Sequence, residues 1–209
     1  TGTVDLTGTR YNGLRLPGVS GNYISTPDAA ALRITGDLEI VVRASAVDWT
    51  PIGGAGGTAQ LIAKRSGSEA WSLGVLAGGA MQVVYRDPTN TATRAYSVNL
   101  GSLADGATYW IKITRNATTG TISSYVVADQ ATEPASWGAA IGTAASTVET
   151  IYAGTAPLEI GSRGAGTVDP WTGTMYRAIV RNGIGGTTVF DADFTSKPWG
   201  ADTFTCTTG

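Results

Sequence analysis

Residues 14–46 read LRLPGVSGNYISTPDAAALRITGDLEIVVRASA, and this stretch decides the fold. It contains two short extended segments that are separated by a Gly/Ser turn, and then a single helical turn at 27–31. Thr26 is the expected N-cap of that turn, and Asp28 is the expected acid in its first turn, where the helix dipole favours negative charge. The stretch therefore predicts short strands joined by tight turns.

The segment that follows the helical turn alternates between apolar and polar residues. One side of it carries Leu38, Ile40, Val42 and Ala44, and the other carries Asp37, Glu39, Arg43 and Ser45. Only Val41 departs from this period of two. A strand with one apolar face and one wet face is typical of an antiparallel sheet that packs on one side.

The same alternation recurs along the rest of the chain, between turns that are rich in the 29 glycines. Further strands are predicted at 60–65, 70–77, 80–86, 93–98, 108–115, 121–128, 157–162, 173–182 and 187–194. Two loops interrupt them: a glycine-rich loop at 51–57, which we expect to be mobile, and a long insertion at 129–156. About eleven to thirteen short strands predict an all-β fold, an antiparallel two-sheet jelly-roll sandwich.

Composition excludes several classes of function. The chain of 209 residues has a net charge of −2 and scattered basic residues, so we expect no nucleic-acid partner. No apolar run approaches the ~20 residues that cross a bilayer, so we expect no membrane insertion. A single cysteine, Cys206, leaves no internal disulfide.

Catalytic chemistry is poorly supported. The chain contains no histidine, the commonest general base and zinc ligand. Glycoside hydrolysis needs two carboxylates at a set spacing, and the nearest pairs are Asp37/Glu39 and Asp191/Asp193. Laminarinase-type enzymes carry acids in a Glu-x-Asp-x-x-Glu pattern. Neither pair has a third acid in register that would match this pattern. The sequence therefore predicts a protein that is not an enzyme.

Three segments together carry a resemblance: LPGVSGNYISTPDAAALRITGDLEIVVRA, GTAPLEIGSR and WTGTMYRAIVRNGIGGTTVFDADFT. Their order and spacing resemble the laminin-G-like, concanavalin-A-like jelly roll of minor tail proteins from bacteriophages of actinobacteria. The resemblance implies a virion component of the tail that acts outside the cell at the host surface, with other virion proteins as partners. It also raises a homo-oligomer as an open alternative. Such proteins usually carry one more strand after the segment that matches 203–209, so we expect either that a last strand has been removed or is disordered, or that this protein closes its sheet differently.

The resemblance and the residues together suggest the domain organisation and the ligand. Residues 1–13 are expected to be a linker or an edge extension, and residues 14–209 a single domain. We expect it to bind a host cell-surface or cell-wall glycan through loops at the rim of the sandwich. The alternatives are a purely structural virion domain and, less favoured, a glycan hydrolase.

Aromatic rings stack on sugars, and amides, carboxylates and arginines bind their hydroxyl groups. The candidate ligand-binding residues are Trp137, Trp171, Trp110 and Arg163. Trp137 and Trp171 lie in loops with few apolar neighbours, so they are the tryptophans that we most expect to be exposed. Their exposure on one open surface would favour glycan binding over a purely structural role. Trp110 either faces outward or packs under a crossing loop. Asp169 is the candidate ligand for a calcium ion at the loop rim.

Overall fold

The computed structural model describes residues 13–51, 57–65 and 70–196. These residues form thirteen strands and two single-turn 3₁₀ helices. The strands are β1 (Leu14–Pro17), β2 (Ile24–Thr26), β3 (Leu38–Ala46), β4 (Thr58–Lys64), β5 (Trp71–Leu76), β6 (Met81–Arg86), β7 (Thr93–Val98), β8 (Thr108–Asn116), β9 (Thr121–Ala128), β10 (Gly142–Ala145), β11 (Leu158–Ile160), β12 (Thr172–Asn182) and β13 (Thr187–Asp193). The helices are Ala30–Leu32 and Phe194–Ser196.

Several sequence-based predictions lie outside the described residues. They are the linker at 1–13 apart from its last residue, most of the loop at 51–57, Cys206 and the closure of the sheet at the end of the chain. Within the described ranges, no helix is long and apolar enough to cross a membrane.

The strands form two antiparallel sheets that face each other. The seven-stranded sheet has the order β1-β12-β3-β8-β9-β10, with β13 also paired to β12. The six-stranded sheet has the order β2-β11-β4-β5-β6-β7. The chain passes repeatedly from one sheet to the other, and the predicted all-β jelly-roll sandwich is confirmed.

The core lies between the inner faces of the two sheets. The inward series predicted for β3, from Leu38 to Ala44, is buried there. Val41 belongs to a second cluster on the outer face of the seven-stranded sheet, with Trp110 and Ile179. Glu39 is also buried, so the prediction that this whole outer face is wet is wrong.

The outer face is covered because part of the insertion at 129–156 lies on it. Asp129 forms an ion pair with Arg43, in which Oδ1 is 2.7 Å from Nε. Glu133 forms a second ion pair with Arg181, which also binds Glu39. These contacts hold the first part of the insertion against the sheet and exclude water from the apolar side chains beneath.

The helical turn of the opening stretch differs in position from its prediction. The 3₁₀ helix spans Ala30–Leu32, and its N-cap is Ala29, which makes no side-chain capping hydrogen bond. Thr26 instead ends β2. Asp28 lies before the helix and forms ion pairs with Lys64 and Arg33. Its role is therefore to neutralise a buried lysine, and the predicted cap at Thr26 is wrong.

The turn after β6 depends on the carboxylate of Asp87. Its Oδ1 accepts the backbone N–H groups of Thr91 and Ala92 at 2.7 and 2.8 Å. Its Oδ2 accepts the hydroxyls of Thr89 and Thr91 at 2.7 and 2.9 Å. These bonds hold the pKa of Asp87 well below its usual range, and the bond from the backbone N–H of Ala92 has the largest effect on it.

A substitution at Asp87 is expected to have a pH-dependent effect. Because the folded state has the lower pKa, the carboxylate stabilises the fold above the unfolded pKa of about 3.9, and this contribution is lost as the pH falls further. Urea unfolding of wild type and Asp87→Ala should show a gap in stability at pH 7 that narrows below about pH 4. A gap that stays constant from pH 7 to pH 2 would contradict this assignment.

Candidate functional site

The structure separates the predicted site residues into two groups. Trp110 and Trp137 lie on the outer face of the seven-stranded sheet. Arg163, Asp169 and Trp171 lie in the hairpin 161–171, which leads from β11 to β12. No single surface therefore brings the three tryptophans together.

Trp110 lies beneath the insertion. Its side chain is fully buried, and its indole Nε1 donates a hydrogen bond to the carbonyl of Gln130 at 2.9 Å. The alternative that Trp110 packs under a crossing loop is confirmed. Its ring presents no face to a ligand.

Trp137 is half-buried above this cluster. The ammonium of Lys112 lies 4.8 Å from the centroid of its ring and 4.4 Å from that of Tyr125. Burial lowers the pKa of Lys112, while the charges of Glu39 and Glu133 oppose that shift. One face of Trp137 is thus occupied by a cation of the chain itself.

Trp171 is buried in the core, and the prediction that it is exposed is wrong. It packs edge-on against Trp49, with ring centroids 5.5 Å apart. The physical reason is the register of β12: Trp171 lies two residues before Gly173 and four before Met175, on the inward face. This alternation was visible in the sequence.

The hairpin 161–171 is held by backbone hydrogen bonds to itself and to β4. Arg163 and Val168 exchange two backbone bonds at its middle. The backbone N–H of Gln60 donates to the carbonyl of Asp169 at 2.8 Å, which attaches the hairpin to the six-stranded sheet. At its tip Ala165 has a φ of 56°, between two glycines that also have positive φ.

Arg163 and Asp169 lie together as an ion pair on this hairpin. Nε and Nη2 of Arg163 both lie 3.0 Å from Oδ2 of Asp169. The guanidinium is 25% exposed and the carboxylate 4% exposed. The other oxygen, Oδ1, is buried and has no hydrogen-bond partner.

Three further side chains near this hairpin also have a buried oxygen that lacks a hydrogen-bond partner. Oε2 of Glu159, Oε1 of Gln60 and Oγ of Ser72 have no hydrogen-bond partner. The second oxygen of Glu159 accepts the backbone N–H of Ala165 at 2.9 Å, so the hairpin tip folds back towards it. We call these residues, with Asp169, the acceptor cluster.

Strand register places the acceptor cluster on the outward face of the six-stranded sheet. Ala63 of β4 pairs with Glu159 of β11 on one side and with Ser72 of β5 on the other. Gln60 lies opposite Gly74, where an added Cβ would be 2.2 Å from the Gln60 amide nitrogen. Small residues therefore leave room for polar side chains from neighbouring strands to lie over the sheet.

Calcium at Asp169 stays a prediction. Calcium takes six to eight oxygen ligands in proteins, and one oxygen of Asp169 is already bound to Arg163. In ranges 13–51, 57–65 and 70–196 no group of three or more His, Cys, Asp or Glu residues is arranged to hold a metal ion.

One acid of each pair considered for hydrolysis is bound to an arginine. Glu39 accepts a hydrogen bond from Arg181 at 2.6 Å, and Asp191 accepts two from Arg177 at 2.7 and 2.8 Å. Both are on the outer face of the seven-stranded sheet, where they stabilise packing.

Comparison with known proteins identifies the class of fold. No protein-family model matches the chain, and no curated protein matches it by sequence. Among solved structures, it is similar to the CBM40 of Ruminococcus gnavus IT-sialidase bound to α2,3 sialyllactose, with a TM-score of 0.53, 12% identity and coverage of 83% of this chain and 91% of that one. It is also similar to the LG1-3 region of the laminin α2 chain, with a TM-score of 0.54, 14% identity and coverage of 91% and 34%.

A third similar structure is the native heptameric SAP-like pentraxin from Limulus polyphemus, with a TM-score of 0.50, 12% identity and coverage of 81% of this chain and 75% of that one. The protein therefore has a concanavalin-A-like jelly-roll fold, of the kind found in laminin G domains, CBM40 modules and pentraxins. At these identities the likeness concerns the fold alone.

Proposed function

We propose that this protein is a non-enzymatic carbohydrate-binding module of a bacteriophage tail, and that the acceptor cluster beside the hairpin 161–171 binds the hydroxyl groups of a host-surface glycan. The observation that carries this proposal is the set of four buried oxygens without partners, on Gln60, Ser72, Glu159 and Asp169. A buried acceptor without a donor costs roughly 1–3 kcal/mol. Sugar hydroxyl groups can supply such donors.

The composition of the cluster suits a sugar. Carboxylates and an amide accept hydrogen bonds from hydroxyl groups, and the neighbouring guanidinium of Arg163 can donate to ring and hydroxyl oxygens. The serine hydroxyl both donates and accepts. The R. gnavus CBM40, which shares the fold, was solved with α2,3 sialyllactose bound, which supports a sugar as the class of ligand and carries no argument about this cluster as its site.

The same geometry favours binding over hydrolysis. A glycoside hydrolase needs one carboxyl group that donates a proton to the leaving oxygen. Here one carboxylate oxygen of Asp169 accepts from Arg163, and one oxygen of Glu159 accepts from the backbone N–H of Ala165. Both groups are thus arranged as acceptors.

The place of the module in a virion rests on the resemblance of three sequence segments to phage minor tail proteins. On this proposal the module acts outside the cell at the host surface and contacts other virion proteins, either as a single copy or as a homo-oligomer. The competing function is a structural virion domain without a glycan ligand.

Binding to isolated cell-wall polysaccharide of actinobacteria tests the proposal. The variant Glu159→Gln, Asp169→Asn keeps the size of both side chains but removes two charged acceptors. Since a hydrogen bond to a charged group contributes about 1.5–3 kcal/mol, we expect affinity to fall at least tenfold. A matched control, Asp129→Asn, changes an acid on the opposite sheet and should bind as wild type does.

Two outcomes would overturn the proposal: absence of saturable binding by the wild-type protein, or equal binding by the double variant. The same titration with a chelator tests calcium at Asp169. Lower affinity after chelation would support the metal.

A further inference from the structure

A second unusual group is the buried guanidinium of Arg115. This residue lies near the end of β8, opposite Leu38 on one neighbouring strand and Ile122 on the other, and is 1% exposed. Its Cζ lies 4.2 Å from the centroid of the Tyr85 ring. The side chain therefore projects into the space between the two sheets.

The hydrogen bonds of Arg115 are incomplete. Nη2 donates to the carbonyls of Thr147 and Glu149 at 3.3 and 2.7 Å. Nε and Nη1 are buried and have no hydrogen-bond partner. Three of the five N–H groups of the guanidinium thus remain available.

The charge of Arg115 meets the Tyr85 ring and two backbone carbonyls but no carboxylate. The carboxylate of Glu149 is bound to Arg94, with Oε1 2.8 Å from Nε, and Glu149 meets Arg115 only through its backbone carbonyl. Across the described ranges Arg115 forms no ion pair with a carboxylate. A buried cation without an anion is costly, so an anion that reached this position would be bound strongly.

One short segment, which we call the strap 146–150, separates Arg115 from solvent. Backbone bonds fix its ends, from Ser146 to Gly120 and from Ile151 to Thr35. Its middle is held by side chains, since Thr147 donates its N–H to the hydroxyl of Tyr96 at 3.0 Å. Val148 is 63% exposed, so the strap is a single layer at the surface.

The surroundings of Arg115 contain sugar-binding groups. Arg94 supplies a second guanidinium, which is 34% exposed. Ser146 has a buried hydroxyl without a partner. The Tyr96 hydroxyl is already bound to the hydroxyl and the N–H of Thr147, at 2.9 and 3.0 Å, so it holds the strap and is not counted as a ligand group. Tyr85 and Tyr96 are stacked with centroids 5.8 Å apart. The two arginines can bind a carboxylate of a ligand, and the nearby polar groups can bind its hydroxyl groups.

We propose that Arg115 and Arg94 form a second site, under the strap 146–150, that binds the carboxylate of an acidic sugar such as a uronate. The choice of a sugar rests on the proposed function, but the site is separate from the acceptor cluster. That cluster contains two carboxylates, which would repel an acidic sugar, whereas the second site has two cations and one carboxylate side chain. The two sites thus bind different sugar units of a glycan, the acceptor cluster a neutral one and the second site an acidic one.

Thermal unfolding with small ligands tests this inference. Glucuronate, glucose and acetate are compared at equal ionic strength. At a tenfold excess over the dissociation constant, we expect glucuronate to raise the Tm of the wild type by about 3–5 °C. Glucose should have no effect, and acetate should have a smaller effect than glucuronate.

Variants assign the effect to the second site. Arg115→Met should lose the shift, while the control Arg43→Met, which alters an arginine paired with Asp129 on the outer face, should keep it. Tyr96→Phe retains the stacked ring but releases Thr147, so the strap should open more readily and glucuronate should bind more tightly. If Arg115→Met fails to fold, the Tyr96→Phe variant still tests the inference.

The inference is overturned if glucuronate shifts the Tm no more than glucose or acetate does. It is also overturned if Arg115→Met keeps the shift, or if Tyr96→Phe leaves the affinity unchanged. Failure of the acceptor cluster is seen separately, because Glu159→Gln, Asp169→Asn should lose polysaccharide binding and keep the glucuronate shift.

Discussion

Replacing Trp171 with alanine is expected to lower the free energy of unfolding by about 3–5 kcal/mol. The indole is 1% exposed and packs edge-on against Trp49, which in turn meets Tyr109 at a centroid distance of 5.9 Å. Its removal leaves a cavity that rigid aromatic neighbours cannot fill. For a domain of this size the Tm should fall by ~10 °C.

A matched substitution distinguishes a core residue from a surface one. Trp137→Ala removes the same side chain from a half-buried position beside Lys112. We expect it to cost about 1–2 kcal/mol, because less surface leaves contact with the protein. If Trp171→Ala were no more destabilising than Trp137→Ala in urea unfolding, the packing of Trp171 described above would be wrong.

Replacing Asp28 with alanine is expected to have the second large effect, a loss of about 3–5 kcal/mol. Lys64 is fully buried, and its ammonium donates to Asp28 and to the carbonyl of Ala156 at 2.6 Å. Without the carboxylate, a buried ammonium keeps one carbonyl and no counter-charge. Urea unfolding at pH 7 measures the loss.

Two further variants define the origin of this effect. Asp28→Ala combined with Lys64→Met removes both charges and should recover much of the lost stability. Asp129→Ala, whose carboxylate is 43% exposed in its ion pair with Arg43, should cost less than about 1 kcal/mol. Equal losses in Asp28→Ala and Asp129→Ala would show that burial of Lys64 does not matter.

The pKa of Asp28 gives this ion pair a pH dependence. Burial alone would raise the pKa, but the hydrogen bonds and charges of Arg33 and Lys64 lower it below its usual value. Since the folded pKa is depressed, the contribution is present above the unfolded pKa of about 3.9 and is lost as the pH falls. The cost of Asp28→Ala should therefore decrease below pH 4.

The candidate site was only partly predictable. Arg163 and Asp169 were identified in a loop, and the structure places them in one ion pair. Gln60, Ser72 and Glu159 were missed because each is a polar residue between apolar neighbours in a strand, the usual pattern of a solvated face. Their unmet hydrogen bonds appear only when β4, β5, β11 and the hairpin 161–171 lie side by side.

The sequence by itself determined most of the local order of this protein: the strands other than β10, their inward faces and the two-sheet class, since a period of two specifies which side chains are buried. Strand β10 was missed because it lies within the segment 129–156, which was predicted as a loop. Only the tertiary structure decided which outward positions are covered. Val41 and Trp110 are buried because an insertion from a distant part of the chain lies over them. Such burial depends on contacts between residues far apart in sequence, which no local pattern encodes.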